Sequence, residues 1–157
     1  MPEQSLADEL VVQKWQQITV ISPYSRELGL TLHSVQPEWC VIKVPYEERL
    51  IGNPKTRVIH GGVITALLDS CYGLAIFVRM NKLRGMATLD LRIDYLKPAT
   101  PGRDILGGAV CYKLNNELAF VRGCAYHDTP DDPIATSAAI FMFTGGPVIS
   151  LEEAFKA

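Results

Sequence analysis

The most apolar stretch of the chain lies near its middle and predicts a buried helix. A helix that is apolar almost all round is normally enclosed by the rest of its protein. The longest apolar run, Val63 to Val78, contains one carboxylate and is too short to cross a bilayer. We therefore predict a core helix over Gly61 to Arg79 in a soluble protein. Its only polar side chains are Thr65, Asp69, Ser70 and the terminal Arg79.

The pattern changes after a break at Asn81 to Gly85. Apolar and polar residues then alternate from Ala87 to Tyr95, and Lys97-Pro98 ends the run. This alternation is typical of a strand with one buried face. The apolar positions are Ala87, Leu89, Leu91, Ile93 and Tyr95, and the polar ones are Thr88, Asp90, Arg92 and Asp94.

Three further strands follow, each bounded by turn residues. Asn115-Asn116 predicts a two-residue hairpin turn, because Asn tolerates the left-handed conformation. Gly145, Gly146 and Pro147 are expected to end the last strand. The three strands are predicted over Ile105–Leu114, Glu117–Tyr126 and Ile134–Phe143.

The first part of the chain predicts smaller elements. Apolar residues recur at helical spacing from Ser5 to Ile18, which predicts an amphipathic helix leaning on the domain. These residues are Leu6, Leu10, Val11, Trp15 and Ile18. A short helix from Ser22-Pro23 to Leu28 is ended by Gly29. Strands are then expected over Gly29–Ser34 and Trp39–Pro45, and a loop over Tyr46–Thr56.

The order of elements predicts an α+β hotdog fold. Short connections between consecutive strands imply an antiparallel sheet, and one buried helix needs a sheet wrapped around it. We expect a curved sheet of five to six strands around one long central helix, with an extra N-terminal helix. The many small residues of the last strands suit a sheet that curls closely over a helix. The chain is divided into an N-terminal extension (1–20), a hotdog domain (21–146) and a C-terminal tail (147–157).

Composition and charge narrow the choice of partners. The chain has 157 residues, a net charge of −2 and 48% hydrophobic residues, which suits one globular domain without a basic surface for nucleic acid. Its four cysteines form no CxxC pair and its first ten residues are polar and acidic, so we predict a cytoplasmic protein without a membrane partner. The three histidines show no metal-ligand spacing, so no metal is predicted. They are His33, His60 and His127.

Asp69 and the sequence His60-Gly61-Gly62 are the strongest candidates for chemistry. A carboxylate in a buried helix costs several kcal/mol unless it is paired, which suggests a function for Asp69. A helix start offers unpaired N–H groups and a partial positive charge, which suit a developing oxyanion. Two glycines allow a substrate carbonyl to approach that backbone closely.

The spacing of these two features predicts a homodimer. Gly62 and Asp69 are seven residues apart, which is about 10.5 Å along a helix axis. One carbonyl cannot contact the Gly62 amide and be attacked through Asp69 of the same helix, because attack geometry needs contacts near 3 Å. Two helices packed antiparallel about a twofold axis bring the helix start of one chain to Asp69 of the other.

The run LIGNPKTRVIHGGVITALLDSCYGLA at Leu50 to Ala75 resembles the PaaI-like hotdog thioesterases, and so does ATLDLRIDYLKPA at Ala87 to Ala99. The resemblance implies hydrolysis of an acyl-CoA thioester, with Asp69 as nucleophile or general base and the Gly62 amide polarising the carbonyl. By position it also implies that Asn53 orients water or substrate and that Thr88 supports the carboxylate. It implies no cofactor besides the coenzyme A of the substrate, and dimers that pair into tetramers.

Other residues are weaker candidates. His60 either binds the thioester or orders the helix start. Tyr72 and Gly73, one turn beyond Asp69, are candidates for an acyl pocket, as Gly61 is for contact with the substrate. Four cations at loops or strand ends are candidates for the phosphates of coenzyme A: Arg57, Arg84, Lys97 and Arg103.

Two other functions stay open at this point. A hotdog dehydratase or hydratase would use His60 with Asp69 on a hydroxyacyl thioester, but a His in the loop before two glycines fits a thioesterase better. A non-catalytic module that binds acyl-CoA would not need Asp69. Acyl-chain identity and the choice between coenzyme A and acyl-carrier protein are not readable from the sequence.

Overall fold

The computed structural model describes the backbone of residues 2–156 and the side chains of residues 11–156. The helices are α1 (Pro2–Thr19), α2 (Pro23–Glu27), α3 (Gly61–Met80) and α4 (Leu151–Lys156), with a 3₁₀ turn at Glu48–Leu50. The strands are β1 (Thr31–Gln36), β2 (Trp39–Val44), β3 (Lys82–Tyr95), β4 (Ile105–Leu114), β5 (Leu118–Tyr126) and β6 (Ala135–Ser150).

The predicted hotdog fold is confirmed. All six strands form one antiparallel sheet in the order β1-β2-β4-β5-β6-β3, and α3 packs against β2, β3, β4 and β5. The sheet approaches the helix closely: a Cβ at Gly107 would lie 2.8 Å from Cγ of Leu67, so only glycine fits at this point of β4. Five side chains of α3 are completely buried: Leu67, Leu68, Cys71, Tyr72 and Ile76.

The apolar composition of α3 follows from its place at the centre of the fold. Among the residues that the structure describes, it is the one helix long and apolar enough to cross a membrane. Its most buried face lies under the sheet. A less buried stripe, which we call the open face, is lined by Thr65, Ala66, Asp69, Ser70, Gly73 and Phe77.

Two strand boundaries were predicted wrongly. No break follows α3: Asn81 caps the helix in the left-handed conformation, with φ of 54°, and β3 begins at the next residue. The last strand does not end at Gly145-Gly146-Pro147 but continues to Ser150, where it pairs with Lys82. Pairing with β5 ends at Met142, and residues 144–147 lie in an irregularity of the pairing with β3, so glycine and proline are tolerated there.

The hairpin between β4 and β5 forms by a different device from the predicted one. Residues 116 and 117 make the turn, and neither Asn115 nor Asn116 has a positive φ. Instead, the side-chain oxygen of Asn115 accepts hydrogen bonds from the N–H groups of Glu117 and Leu118, at 2.9 and 2.8 Å. Asn115 therefore shapes the turn through its side chain.

The N-terminal helix is present, and it packs on the domain. Trp15 is buried and meets the ring of Phe155 in α4 edge-on, with ring centroids 5.6 Å apart. Two residues of the predicted helical pattern, Leu6 and Leu10, are not among the residues whose side chains the structure describes. The division of the chain at residues 20 and 146 stays a prediction, although residues 147–150 belong to β6.

Candidate active site

The loop before α3 holds His60 at the helix start. The N–H of Gly52 donates to the carbonyl of Val58 at 2.8 Å, and the N–H of His60 donates to the carbonyl of Leu50 at 2.9 Å. A Cβ at Gly52 would lie 2.8 Å from Cα of His60, so the two sides of the loop touch. This closure fixes the backbone from which the histidine side chain projects.

His60 caps α3 with its own ring. Its Nδ1 accepts a hydrogen bond from the N–H of Gly62 at 2.9 Å, and its carbonyl accepts one from Val63 at 2.9 Å. Ring rotation would therefore be needed before the Gly62 amide could donate to a substrate. For the neighbouring Gly61 N–H, no partner is found among the described residues. A histidine that orders the helix start was one of the two predicted roles for His60.

Tyr95 ties the end of β3 to the same helix start. Its hydroxyl donates to the carbonyl of Gly61 at 2.8 Å and lies 3.0 Å from Oγ1 of Thr65. Sequence reasoning treated Tyr95 only as an apolar position in a strand. Its hydroxyl was the available signal, because a tyrosine combines an apolar ring with a group that can form hydrogen bonds.

Asp69 and Thr88 lie together. Oγ1 of Thr88 donates to Oδ1 of Asp69 at 2.8 Å. The helix was expected to be buried on most sides, and in the single chain Asp69 is half-buried on its open face. The carboxylate is therefore held by one hydrogen bond and also reachable from outside the chain.

A bulge in β3 makes the contact between Asp69 and Thr88 possible. The alternation of the sequence puts Thr88 and Tyr95 on opposite faces of the strand, since they are seven residues apart. In the structure both side chains reach α3. The pairing of β3 with β6 shifts by one residue between Thr88 and Asp90, which turns Thr88 towards the helix. The prediction that Thr88 lies on the polar face of β3, away from the helix, was wrong for this reason.

An apolar cavity adjoins the helix start. Its volume is about 380 Å³, within the range of sites for small ligands. Gly61 and Tyr95 form one side of it, next to the Gly61 amide. The remaining wall consists of Val58, Ile59, Ile64, Leu96, Lys97, Pro98 and Ala99. A substrate carbonyl at the helix start would have room for an adjoining part of its molecule here.

Asn53 and Tyr72 belong neither to the contact between Asp69 and Thr88 nor to the wall of the cavity at the helix start. The side-chain oxygen of Asn53 accepts from the N–H of Lys55 at 2.9 Å, so the residue shapes the loop. The ring of Tyr72 is completely buried in the core, and its hydroxyl has no hydrogen-bond partner within the described structure. Gly73, by contrast, lies on the open face one turn beyond Asp69.

The four cations predicted for coenzyme A all have partners within the chain. Arg57 pairs with Glu48 at 2.6 Å, Lys97 with Asp132 at 2.5 Å and Arg103 with Asp128 at 2.5 Å. The guanidinium of Arg84 donates to the carbonyl of Asn116 and lies 4.4 Å from the ring centroid of Phe143. Only Lys97 lines the cavity at the helix start. Since its ion pair is exposed, exchanging Asp132 for a phosphate would cost little.

No group of three His, Cys, Asp or Glu side chains comes together as possible metal ligands in the described part of the chain. The absence of a metal from the reaction stays a prediction.

Comparisons with known proteins consistently indicate a thioesterase. Residues 57–134 match the thioesterase superfamily. The medium/long-chain acyl-CoA thioesterase YigI of Escherichia coli is 28% identical over 133 residues, which cover 76% of this chain and 84% of that protein. Acyl-coenzyme A thioesterase 13 of Mus musculus is 31% identical over 91 residues, covering 58% of this chain and 63% of that one.

Solved structures agree with this comparison. A Pseudomonas aeruginosa protein is 36% identical and superposes with a TM-score of 0.75, covering 83% of this chain and 97% of its own. Thioesterase superfamily member 2 of Mus musculus is 25% identical with a TM-score of 0.71, covering 86% and 98%.

The fold and these relatives together identify a thioester hydrolase built on a hotdog domain. The chain belongs to the hotdog-fold thioesterase superfamily.

Proposed function

We propose that this chain hydrolyses acyl-CoA thioesters to a free acid and coenzyme A in sites shared between two copies of the chain. The observation that carries the proposal is the contact between Asp69 and Thr88 on the open face of α3. It gives a carboxylate that is positioned by one hydrogen bond and open to a second chain. The names of the two acyl-CoA thioesterase relatives support the substrate class.

In the proposed reaction, Asp69 acts on the carbonyl carbon of the thioester. As general base it takes a proton from water, whose oxygen bonds to that carbon; as nucleophile its own oxygen bonds there first and water then releases the acid. In both cases the carbonyl oxygen gains negative charge before the carbon–sulfur bond breaks. The leaving thiolate of coenzyme A takes up a proton. Thr88 orients the carboxylate without contacting the substrate. No resident cofactor enters this step.

The oxyanion is proposed to bind at the start of α3. Backbone N–H groups at a helix start stabilise developing negative charge, and one such donor is typically worth about 3 kcal/mol. The Gly62 amide serves after the His60 ring has turned away from it. The Gly61 amide beside it faces the same approach and adds a second donor. Asn53 and His60 remain candidates for orienting water or the thioester.

The sharing of sites is supported by the edge of the sheet. Within the described structure, β3 has 14 residues and pairs only with β6. Exposed apolar side chains lie on the strand and directly after it: Leu89 (57%) and Tyr95 (51%) in β3, and Leu96 (57%) at the next residue. A long apolar edge strand is a template for pairing with another chain. Antiparallel pairing of two β3 strands would place the two α3 helices side by side, in opposite directions. Further pairing of dimers into a tetramer remains a prediction.

The geometry gives no separate support to a dehydratase. Such an enzyme would need the His60 ring as an acid or base, whereas Nδ1 is engaged by the Gly62 amide. In the proposed hydrolysis the His60 ring only caps the helix start and rotates away from the Gly62 amide when substrate binds.

A panel of acyl-CoAs with a free-thiol reagent tests the proposal. We expect the wild-type protein to release free coenzyme A, because hydrolysis produces one thiol per turnover. Interconversion of hydroxyacyl- and enoyl-CoA without thiol release would instead indicate a hydratase. Binding of acyl-CoA without either reaction would indicate a non-catalytic module, and both of these results would contradict the proposal.

The cysteines of the protein should not disturb this measurement. All four are free and buried. Burial raises the pKa of the Cys40 and Cys124 thiols to about 11, so they stay protonated and unreactive near neutral pH. A blank without acyl-CoA is expected to show little colour until the protein is denatured. The cytoplasmic location suggested by the cysteines stays a prediction.

A further inference from the structure

A second cavity lies between α1, α2 and α3, beside the open face of the central helix. Its volume is about 160 Å³. No charged side chain lines it, and the hydroxyl of Thr19 is occupied by a hydrogen bond to the carbonyl of Trp15. We call it the α1–α3 cavity. It is lined by Ile18, Thr19, Ile21, Ser22, Ser25, Ser70, Gly73, Leu74 and Phe77.

Gly73 is the unexpected residue in this wall. Glycine weakens the interior of a helix relative to alanine, so a fold normally keeps it there for a packing reason. The described residues supply none: among them, a Cβ at Gly73 would meet nothing within 4 Å. Gly107 on the sheet differs, because Leu67 already occupies the space of its missing Cβ. The open space beside Gly73 therefore suits a group that the single chain does not contain.

The cavity is close to the proposed reacting atoms. Ser70 follows Asp69 directly. Gly73 lies one helical turn after Asp69, about 6 Å from it along the helix axis. A cavity of about 150 Å³ can hold a benzene-sized group. The α1–α3 cavity, whose wall is mostly apolar but includes three serines, is thus large enough for a segment of about six carbons.

Beyond two isoleucines lies a larger cavity, whose wall is mostly apolar but includes Lys14 and Gln17. Ile18 and Ile21 also line a neighbouring cavity of about 290 Å³, which reaches Leu83 in β3 and Phe155 in α4. These two side chains therefore separate the α1–α3 cavity from room for a longer chain.

We infer that the alkyl tail of the acyl group enters the α1–α3 cavity past Gly73 and ends against Ile18. Helix α1 thereby sets the chain-length preference. This inference rests on the proposed function and specifies the part of the substrate that this cavity binds. An alkyl chain fits the uncharged wall, whereas the phosphates of coenzyme A do not. Each methylene buried here is expected to raise kcat/KM about fourfold until the cavity is full.

Three substitutions change the cavity: two at Gly73 fill it and one at Ile18 enlarges it. Gly73→Leu fills its entrance, and we expect the ratio of kcat/KM for decanoyl-CoA to that for butyryl-CoA to fall at least tenfold. Gly73→Ala should lower the same ratio less. Ile18→Ala joins the two cavities, and the preferred substrate should move to a longer acyl chain.

The matched control is Gly145→Leu. A Cβ at Gly145 also meets nothing within 4 Å, but the residue lies in β6 away from this cavity. Its chain-length ratio should equal that of the wild type. Ile18→Ala keeps the inference open to disproof even if Gly73→Leu does not fold.

The outcomes separate this inference from the proposed function. An unchanged ratio in active Gly73→Leu and Ile18→Ala proteins would overturn the inference alone. Conversion of Gly73→Leu to a monomer would also overturn it, because the space would then belong to the second chain. Absence of coenzyme A release by the wild type, for every acyl-CoA, would overturn the proposed function and this inference with it.

Discussion

Replacing Asp69 with alanine is expected to lower kcat for acyl-CoA hydrolysis by about 10³-fold, the middle of the range for loss of a positioned acid or base. The fold should survive the change. Asp69 is half-buried on the open face and loses only the hydrogen bond from Thr88, while alanine is a better helix former. The free energy of unfolding should therefore change by no more than about 1 kcal/mol. Steady-state release of coenzyme A and a thermal melt measure the two effects.

The sharper variant is Asp69→Asn. Its amide oxygen can still accept a hydrogen bond from Thr88, but the side chain is neither a base nor a nucleophile. It should therefore be as inactive as Asp69→Ala. Asp131→Asn changes an exposed loop carboxylate and serves as the control, with wild-type activity expected. An Asp69→Asn protein that keeps more than a tenth of wild-type kcat would contradict the role of this carboxylate.

Placing a charge on the edge of β3 should separate the two chains and abolish activity with them. Leu89 lies near the middle of the strand, at the bulge, and is exposed in the single chain. If two β3 strands pair, Leu89→Glu places an unpaired carboxylate in the contact of both copies. Burying such a group costs several kcal/mol. We expect a monomer on light scattering and an activity loss of at least about 100-fold, since each monomer would hold only half of each site.

Tyr112→Glu is the matched control for this experiment. Tyr112 is similarly exposed, but it lies on β4 in the interior of the sheet rather than on its edge. This variant should remain a dimer with wild-type activity. A Leu89→Glu protein that is monomeric and fully active would exclude a shared site.

The large features of the fold were predictable because each rests on many residues. The apolar run from Gly61 to Arg79 identified the core helix, and the alternation from Ala87 to Tyr95 identified a strand. Short turns between strands then left few arrangements besides an antiparallel sheet around a helix. One strand boundary failed because Gly145 and Pro147 lie in an irregularity of the β3–β6 pairing, which resumes at Val148 opposite Arg84.

The details of the site depended on single contacts, which the sequence does not display. One bulge residue between Thr88 and Asp90 reverses the faces of β3, and no pattern in the sequence marks it. The hydrogen bond from Gly62 to the ring of His60 depends on the loop closing at Gly52. Spacing along the helix was more informative, because the distance from Gly62 to Asp69 follows from helix geometry alone.

The central claim is that each site combines Asp69 of one chain with the helix start of the other. Co-expression of two inactive variants with different tags tests it most directly. The first is Asp69→Ala, and the second is Gly62→Val, whose side chain blocks approach to the helix-start amides. The heterodimer carries one site with both defects and one with neither.

Activity of the purified heterodimer decides the matter. We predict about half of the wild-type kcat per dimer, while each parent homodimer stays below about a hundredth, because a lost catalytic group typically costs 10²-fold or more. A heterodimer as inactive as its parents would contradict the shared site, since every chain would then carry one defect in its own site.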